Sequence, residues 1–267
     1  MVVALLSDFG TREWYVASMK GVILSQAPDV RLVDVTHDIP PHDIVAGALT
    51  LAAAAPWFPP GTVFLAVVDP GVGTERALLA ASANDCYFVG PDNGLLALSL
   101  ARSRHPTIVR LARRRYWLDP VSRTFHGRDI LAPVAAYLAR GGSLHRLGPP
   151  ALDIVPTPLL SGPSLARRSG SFRRGQRICG RIVHIDLFGN LITDLPDSFL
   201  AETGAMKHAR IRYKRKTARV VSSYGEGSST ELIALAGSAG FIELAIREQS
   251  AERACAAQRG DRVELVV

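Results

Sequence analysis

Val63-Phe64-Leu65-Ala66-Val67-Val68 is an unbroken apolar run that ends on Asp69-Pro70-Gly71-Val72-Gly73-Thr74-Glu75-Arg76. A run of that kind suits a strand covered on both faces, as the strands of parallel sheets are. The glycines behind it let the backbone turn sharply and approach a ligand. Chemistry in α/β proteins gathers at such strand ends, because the sheet fixes the backbone while the loop presents side chains. The loop lacks the Lys-Ser/Thr ending of a P-loop, which argues against a triphosphate in it.

Working outward, the first ~150 residues alternate strand-like and helix-like segments. Residues 2–6, 30–35, 77–81 and 86–89 are strand-like. Residues 14–27 read as a helix stopped by Pro28, and the alanine-rich 44–55 as a helix ending near Pro56. Residues 129–140 read as a helix closed by Gly141-Gly142. This rhythm predicts a Rossmann-like α/β domain over 1–155, with a mainly parallel sheet and helices on both faces. Prolines then scatter among small residues, predicting a linker over 156–175. From 176 to 267 short runs are separated by Gly-rich turns such as Phe188-Gly189-Asn190, Tyr224-Gly225-Glu226-Gly227 and Gly237-Ser238-Ala239-Gly240. That pattern predicts a small all-β domain, a barrel or sandwich.

The 267 residues are 48% hydrophobic and 21% charged, a composition that can fill a core and excludes a disordered chain. No apolar run reaches the roughly 18 residues that cross a bilayer. The apolar start is short and lacks a basic leader, so it reads as the first core strand and the expected location is the cytoplasm. Cys86, Cys179 and Cys255 are far apart and form no Cys-x-x-Cys pair, so they read as core or inert surface thiols. The seven histidines show no metal-ligand spacing, and no metal site is expected. The net charge is +7, with basic clusters at 113–115, 167–168, 173–174 and 207–216. These can serve a nucleic acid or lie on solvated faces. Without a recognisable nucleic-acid motif or interleaved aromatics, the solvated face is the expectation.

Titratable groups mark four further places. Asp8 in Ser7-Asp8-Phe9-Gly10 can accept hydrogen bonds from a vicinal diol, or serve an Asx-turn or a helix N-cap. Asp69 and Arg76 can polarise a water together with His126 of Phe125-His126-Gly127-Arg128-Asp129, or Arg76 can merely brace the loop by pairing with Asp69. Asp129 suits the first turn of a helix, a structural role. Pro91-Asp92-Asn93-Gly94 is a turn signature. Asp186 and Asn190 can bind an ammonium group and a heterocycle edge, or simply close a hairpin.

Taken in order, Ser7-Asp8-Phe9-Gly10, Val33-Asp34-Val35-Thr36-His37, Val68-Asp69-Pro70-Gly71-Val72-Gly73-Thr74, Gly90-Pro91-Asp92-Asn93-Gly94, Phe125-His126-Gly127-Arg128-Asp129, Phe188-Gly189-Asn190 and Ser238-Ala239-Gly240 resemble the S-adenosyl-L-methionine (SAM) hydroxide adenosyltransferase family, relatives of the fluorinase and chlorinase. The resemblance spans nearly the whole chain and rests on the ordered set rather than on any one motif. It implies a Rossmann-like domain, a C-terminal β-barrel, and a homotrimer with active sites between the N-terminal domain of one subunit and the C-terminal domain of the next. It implies hydrolysis of SAM to adenosine and L-methionine, with SAM as substrate and no resident cofactor. Asp8 matches the residue that binds the ribose hydroxyls, and Asp69, Arg76 and His126 match the water-activating triad. Asp186 matches the group that meets the methionine ammonium, Phe188 and Asn190 match adenine-side contacts, and Ser238 matches a residue near the methionine carboxylate. The chain departs from the family's Ser-Ser or Ser-Arg pair at Ala239. It carries Asp69 where the fluorinase has a tyrosine, which argues against halide chemistry. A halogenase of the same fold and a SAM- or adenosine-binding module without turnover are the competing readings.

Overall fold

The computed structural model describes residues 1–158, 177–202 and 209–267. The chain divides into two compact units, Met1–Pro158 and Leu159–Val267.

The first unit is a six-stranded sheet in the order β2-β1-β3-β5-β4-β6. Its strands are β1 (Val2–Ser7), β2 (Arg31–Thr36), β3 (Val63–Val67), β4 (Leu78–Ala83), β5 (Cys86–Pro91) and β6 (Thr107–Arg110). The pairs β1·β2, β1·β3 and β3·β5 are parallel. Side chains alternate across the pleat. Val3, Leu5, Val63, Leu65 and Val67 therefore join one core with α1 (Trp14–Gln26) and α4 (Ala132–Ala139). Ala4, Leu6, Phe64, Ala66 and Val68 join a second core on the opposite face, with α2 (Ile44–Ala54) and α3 (Ala97–Ala101). This is why the run at 63–68 carries no polar residue: both of its faces are buried.

The far edge of the sheet is antiparallel, β5 to β4 and β4 to β6. Asn84 and Asp85 have φ of 49° and 60°. They form a two-residue turn of the kind that joins twisted antiparallel strands. Residues 129–140 do not start as a regular helix. Gly127–Leu131 is a π-type turn, and the α-helix begins at Ala132. Residues 151–158 form a strap on this unit. Val155 N–H donates to Asp92 Oδ1 at 2.8 Å, and the Thr157 hydroxyl donates to the Gly94 carbonyl at 2.7 Å. Residues 159–175 of the expected linker lie outside the described residues, as do the basic clusters at 167–168 and 173–174 and part of the one at 207–216.

The second unit is a closed barrel in the order β10-β11-β12-β8-β7-β13-β9. The strands are β7 (Arg177–Ile185), β8 (Leu191–Pro196), β9 (Arg210–Tyr213), β10 (Lys216–Val220), β11 (Ile233–Ala236), β12 (Phe241–Ala245) and β13 (Arg262–Val266). Among the described residues its core cluster is aliphatic apart from Phe199 and Tyr213, and the Tyr213 hydroxyl donates to Asp261 at 2.6 Å. Two short helices, α5 (Ser198–Glu202) and α6 (Ala251–Cys255), decorate it. The Ser250 hydroxyl caps α6 by accepting from Arg253 N–H at 3.1 Å.

Candidate active site

In the first unit the chain runs from β1 to β2 on one side, and β3 then pairs on the other side of β1. The carboxyl ends of β1 and β3 thus flank a topological switch point, where open α/β sheets bind ligands. Ser7 pairs with Val67 in register, so Asp8 and Asp69 leave the sheet at the same edge.

The Asp69 loop is a folded turn. Val72 N–H reaches the Asp69 carbonyl at 3.2 Å, and the Thr74 hydroxyl donates to the Gly71 carbonyl at 2.7 Å. Gly73 has φ of +80°, and a Cβ on it would lie 2.6 Å from the Arg123 carbonyl. Only glycine lets this loop lie against the segment that leads into His126. The approach brings the three groups together. Arg76 Nε donates to Asp69 Oδ1 at 2.6 Å, and its Nη2 donates to Asp69 Oδ2 as well. The same Nη2 lies 3.1 Å from His126 Nδ1. The side chains of Arg76 and Asp69 are only 10% and 5% exposed, so this forked ion pair is largely shielded from water. Burial, and then the neighbouring guanidinium, push the His126 imidazole below its ordinary pKa. A neutral ring whose Nδ1 accepts from Arg76 carries its hydrogen on Nε2.

Asp8 does not cap α1, whose N-cap position is Glu13 and carries no side-chain capping bond. Its carboxylate accepts from His42 N–H at 2.9 Å. The neighbouring Phe9 packs on Phe125, ring centroids 5.8 Å apart, and Tyr15 packs on both. This aromatic cluster fastens the segments that carry Asp8 and His126 to each other. His37, buried at 3% exposure, bonds Ser7 Oγ at 2.7 Å through Nδ1 and Asp34 at 3.0 Å through Nε2. It fixes the turn that presents Asp8. Asp129 is buried, pairs with Arg128 and accepts from Ser122 N–H at 2.8 Å, so it anchors the loop ahead of His126.

In the second unit Asp186, Phe188, Asn190 and Ser238 line one cavity of about 650 Å³. Asp186 Oδ1 accepts from Phe188 N–H at 3.0 Å and Asn190 N–H at 2.8 Å, and Oδ2 accepts from the Asn190 amide at 3.0 Å. Asp186 thus closes the hairpin, and the same hairpin contributes three residues to the cavity lining. Gly189, with φ of +83°, abuts Ser250 so closely that a Cβ would collide with it, which fixes the hairpin tip on the start of α6. Sequence reasoning missed Tyr224, Glu243 and Arg247, which line the same cavity. Glu243 is buried and accepts from the Tyr224 hydroxyl. Burial, and then the nearby Asp186 charge, raise its carboxyl above the usual range, while burial and the bond to Glu243 raise the Tyr224 phenol. Among the described residues no cluster of His, Cys, Asp or Glu is arranged to hold a metal ion, and no helix is long and apolar enough to cross a membrane.

Two family models match in sequence order. The SAM hydroxide adenosyltransferase N-terminal domain matches residues 3–148, and the C-terminal domain of the same family matches residues 180–264. The chain belongs to the SAM hydroxide adenosyltransferase family. A Thermus thermophilus (R)-S-adenosyl-L-methionine hydrolase is 38% identical over 275 residues, 99% of each chain. One from Salinispora tropica is 36% identical over 269 residues, covering 98% of this chain and 97% of the relative. A fluorinase of an Actinoplanes species is more distant, 28% identical over 79% of this chain and 77% of its own. Among solved structures, an uncharacterised conserved protein from Thermotoga maritima superposes with a TM-score of 0.84 at 33% identity, covering 100% of both chains. The site residues expected from the sequence fall into two groups: Asp8, Asp69, Arg76 and His126 on the first unit, and Asp186, Phe188, Asn190 and Ser238 on the second.

Proposed function

We infer that the protein hydrolyses SAM to adenosine and L-methionine, with Asp69, Arg76 and His126 handling the water. The observation that carries this reading is the bonded Asp69–Arg76–His126 group at a sheet switch point, in a chain whose full-length relatives are named as SAM hydrolases. The leaving group needs no acid, because a sulfonium departs as a neutral thioether. The nucleophile is the harder part, since free water has a pKa near 15.7. In the step as proposed, the water oxygen bonds to ribose C5′, the C5′–S bond breaks, and its electron pair stays on the methionine sulfur. The water proton passes to Asp69, whose carboxylate oxygens have lone-pair capacity for a further hydrogen bond beyond those from Arg76. The guanidinium favours the developing hydroxide, and neutral His126 orients it. The step balances with SAM as substrate and without a resident cofactor.

Asp8 takes the ribose diol in this reading. Asp186 takes the methionine ammonium, Ser238 the carboxylate, and Phe188 and Asn190 the adenine. Glu243 adds a second carboxylate to the cavity that receives a cationic substrate. The reading extends to a homotrimer in which the N-terminal unit of one subunit meets the C-terminal unit of the next. It also places the protein in the cytoplasm, a compartment that suits three unpaired thiols. Turnover in ¹⁸O-labelled water tests the chemistry. Label at the 5′-oxygen of adenosine supports attack on C5′, whereas unlabelled adenosine removes water as the nucleophile. Added chloride should leave the product unchanged, and 5′-chloroadenosine would favour the halogenase.

A further inference from the structure

Four arginines converge on the first unit, away from the residues assigned above. Arg113, Arg114, Arg115 and Arg146 line a shallow cavity of about 620 Å³, together with Ala112 and His145. The two segments are 30 residues apart in sequence, and backbone bonds lace them together. Arg110 N–H reaches the Pro149 carbonyl at 2.9 Å, and Ala112 and Arg113 both reach the Leu147 carbonyl, at 3.1 and 3.2 Å. Gly148 makes the lacing possible, because a Cβ there would collide with the Arg110 carbonyl. All four guanidiniums are on exposed residues, and none has a carboxylate partner among the described residues. Elsewhere in the same unit Arg76 and Arg128 are both neutralised by aspartates. Four unpaired like charges at one concavity repel one another and generate a positive potential that attracts anions.

The neighbouring rings stiffen this cluster. The Arg115 guanidinium lies 4.9 Å from the Tyr116 ring and bonds its hydroxyl at 3.1 Å, and Arg114 lies 5.9 Å from the Trp117 ring. Tyr116 in turn packs on Tyr137 with centroids 4.5 Å apart. Such stacking holds guanidiniums in place and lowers the entropy cost of binding. Although burial opposes it, the Tyr116 phenol is held below its ordinary pKa by its bond to Tyr137 and by Arg115 and Arg146, so the fields of the two segments meet at this ring.

We propose that Arg113, Arg114, Arg115 and Arg146 form a binding site for a small polyphosphate, the triphosphate of a free nucleotide or an inorganic chain of similar charge. Guanidiniums bind phosphate oxygens in forked pairs, and four of them match the charge of one triphosphate group. The aromatic rings favour this ligand over RNA. Single-stranded nucleic acid needs rings free to stack on bases, and Tyr116 and Trp117 are already covered by arginines.

Isothermal titration of the full-length protein with inorganic triphosphate in about 0.1 M salt, where charge screening is moderate, tests the site. The account expects one saturable site per chain, weakened at least tenfold by Arg114→Ala/Arg146→Ala and unaffected by Arg31→Ala on β2. The single Arg146→Gln, at an exposed position, gives the same direction should the double variant melt early. ATP binding as tightly as triphosphate, or more tightly, and lost in the same variants, supports the site and assigns it to nucleotides. Absence of saturation up to millimolar triphosphate overturns the proposal. So does a single-stranded RNA oligonucleotide that binds the cluster and is not displaced by triphosphate.

Discussion

Asp69, Arg76 and His126 are joined by hydrogen bonds in series, and the proposed function assigns them the water together. The carboxylate neutralises the largely buried guanidinium, and burial, followed by that guanidinium, lowers the imidazole pKa. Asp69→Ala, Arg76→Ala and His126→Ala should each lower kcat by about 10²–10³-fold, the range for loss of one positioned acid–base or electrostatic group. KM should change by only a few-fold, and a variant with full kcat has no part in water activation. The pH dependence follows from the same contacts. The folded-state pKa of His126 lies below its unfolded value, so the neutral ring is favoured in the folded protein. Its contribution to stability is present above the ordinary imidazole pKa of about 6.5. It is lost as pH falls below that value, because the unfolded chain then takes up the proton first. NMR titration of the ring should show the pKa rising in Arg76→Met. An unchanged value would mean that Arg76 does not set the His126 charge. Asp69 and Arg76 stood out in the sequence because they lie in a glycine-rich loop after an apolar run, and His126 because it stands beside Gly127 in Phe125-His126-Gly127-Arg128-Asp129. Tyr224 and Glu243 were not: they share a cavity with Asp186 only through barrel closure, and in the sequence they are part of a turn signal and part of a strand.

At the scale of elements, glycines decide whether the loops meet. Gly73→Ala should cost about 1–3 kcal/mol, the price of a non-glycine residue in a strained backbone region, and should lower kcat more than stability loss alone explains. Denaturant melts and steady-state kinetics on the same sample check this, and a fully active, fully stable variant would show that the 71–74 turn can reach His126 by another path. The buried strands β1 and β3, and the helices α1, α2 and α4, follow from apolar runs, composition and stop signals that the sequence displays. The antiparallel β4–β5 edge rests on two residues, Asn84 and Asp85, whose left-handed backbone a rhythm of strands and helices does not reveal. The helices α3, α5 and α6 span five residues each, too short to repeat an apolar period. The arginine cluster was half visible: residues 113–115 are contiguous, whereas Arg146 joins them only because Gly148 lets two backbones touch.

The molecule as a whole joins an α/β sheet unit and a closed barrel, each with its own core. In the trimer reading, light scattering should give three times the 28.7 kDa chain mass, and a monomer with full turnover would separate the site from any subunit interface. A catalytically slowed Asp69→Asn variant should also melt later with SAM present. Ligand at one hundred times its Kd adds about 2.7 kcal/mol to the folded state, and no shift at millimolar SAM would mean that the fold does not bind it. Every site assignment depends on the reaction itself, and the decisive experiment is incubation of the purified protein with SAM in halide-free buffer, with products followed by chromatography. Adenosine and L-methionine are expected in equal amounts, formed about 10²–10³-fold more slowly by Asp69→Asn and His126→Ala; SAM recovered intact after incubation with the wild-type protein would rule the reaction out.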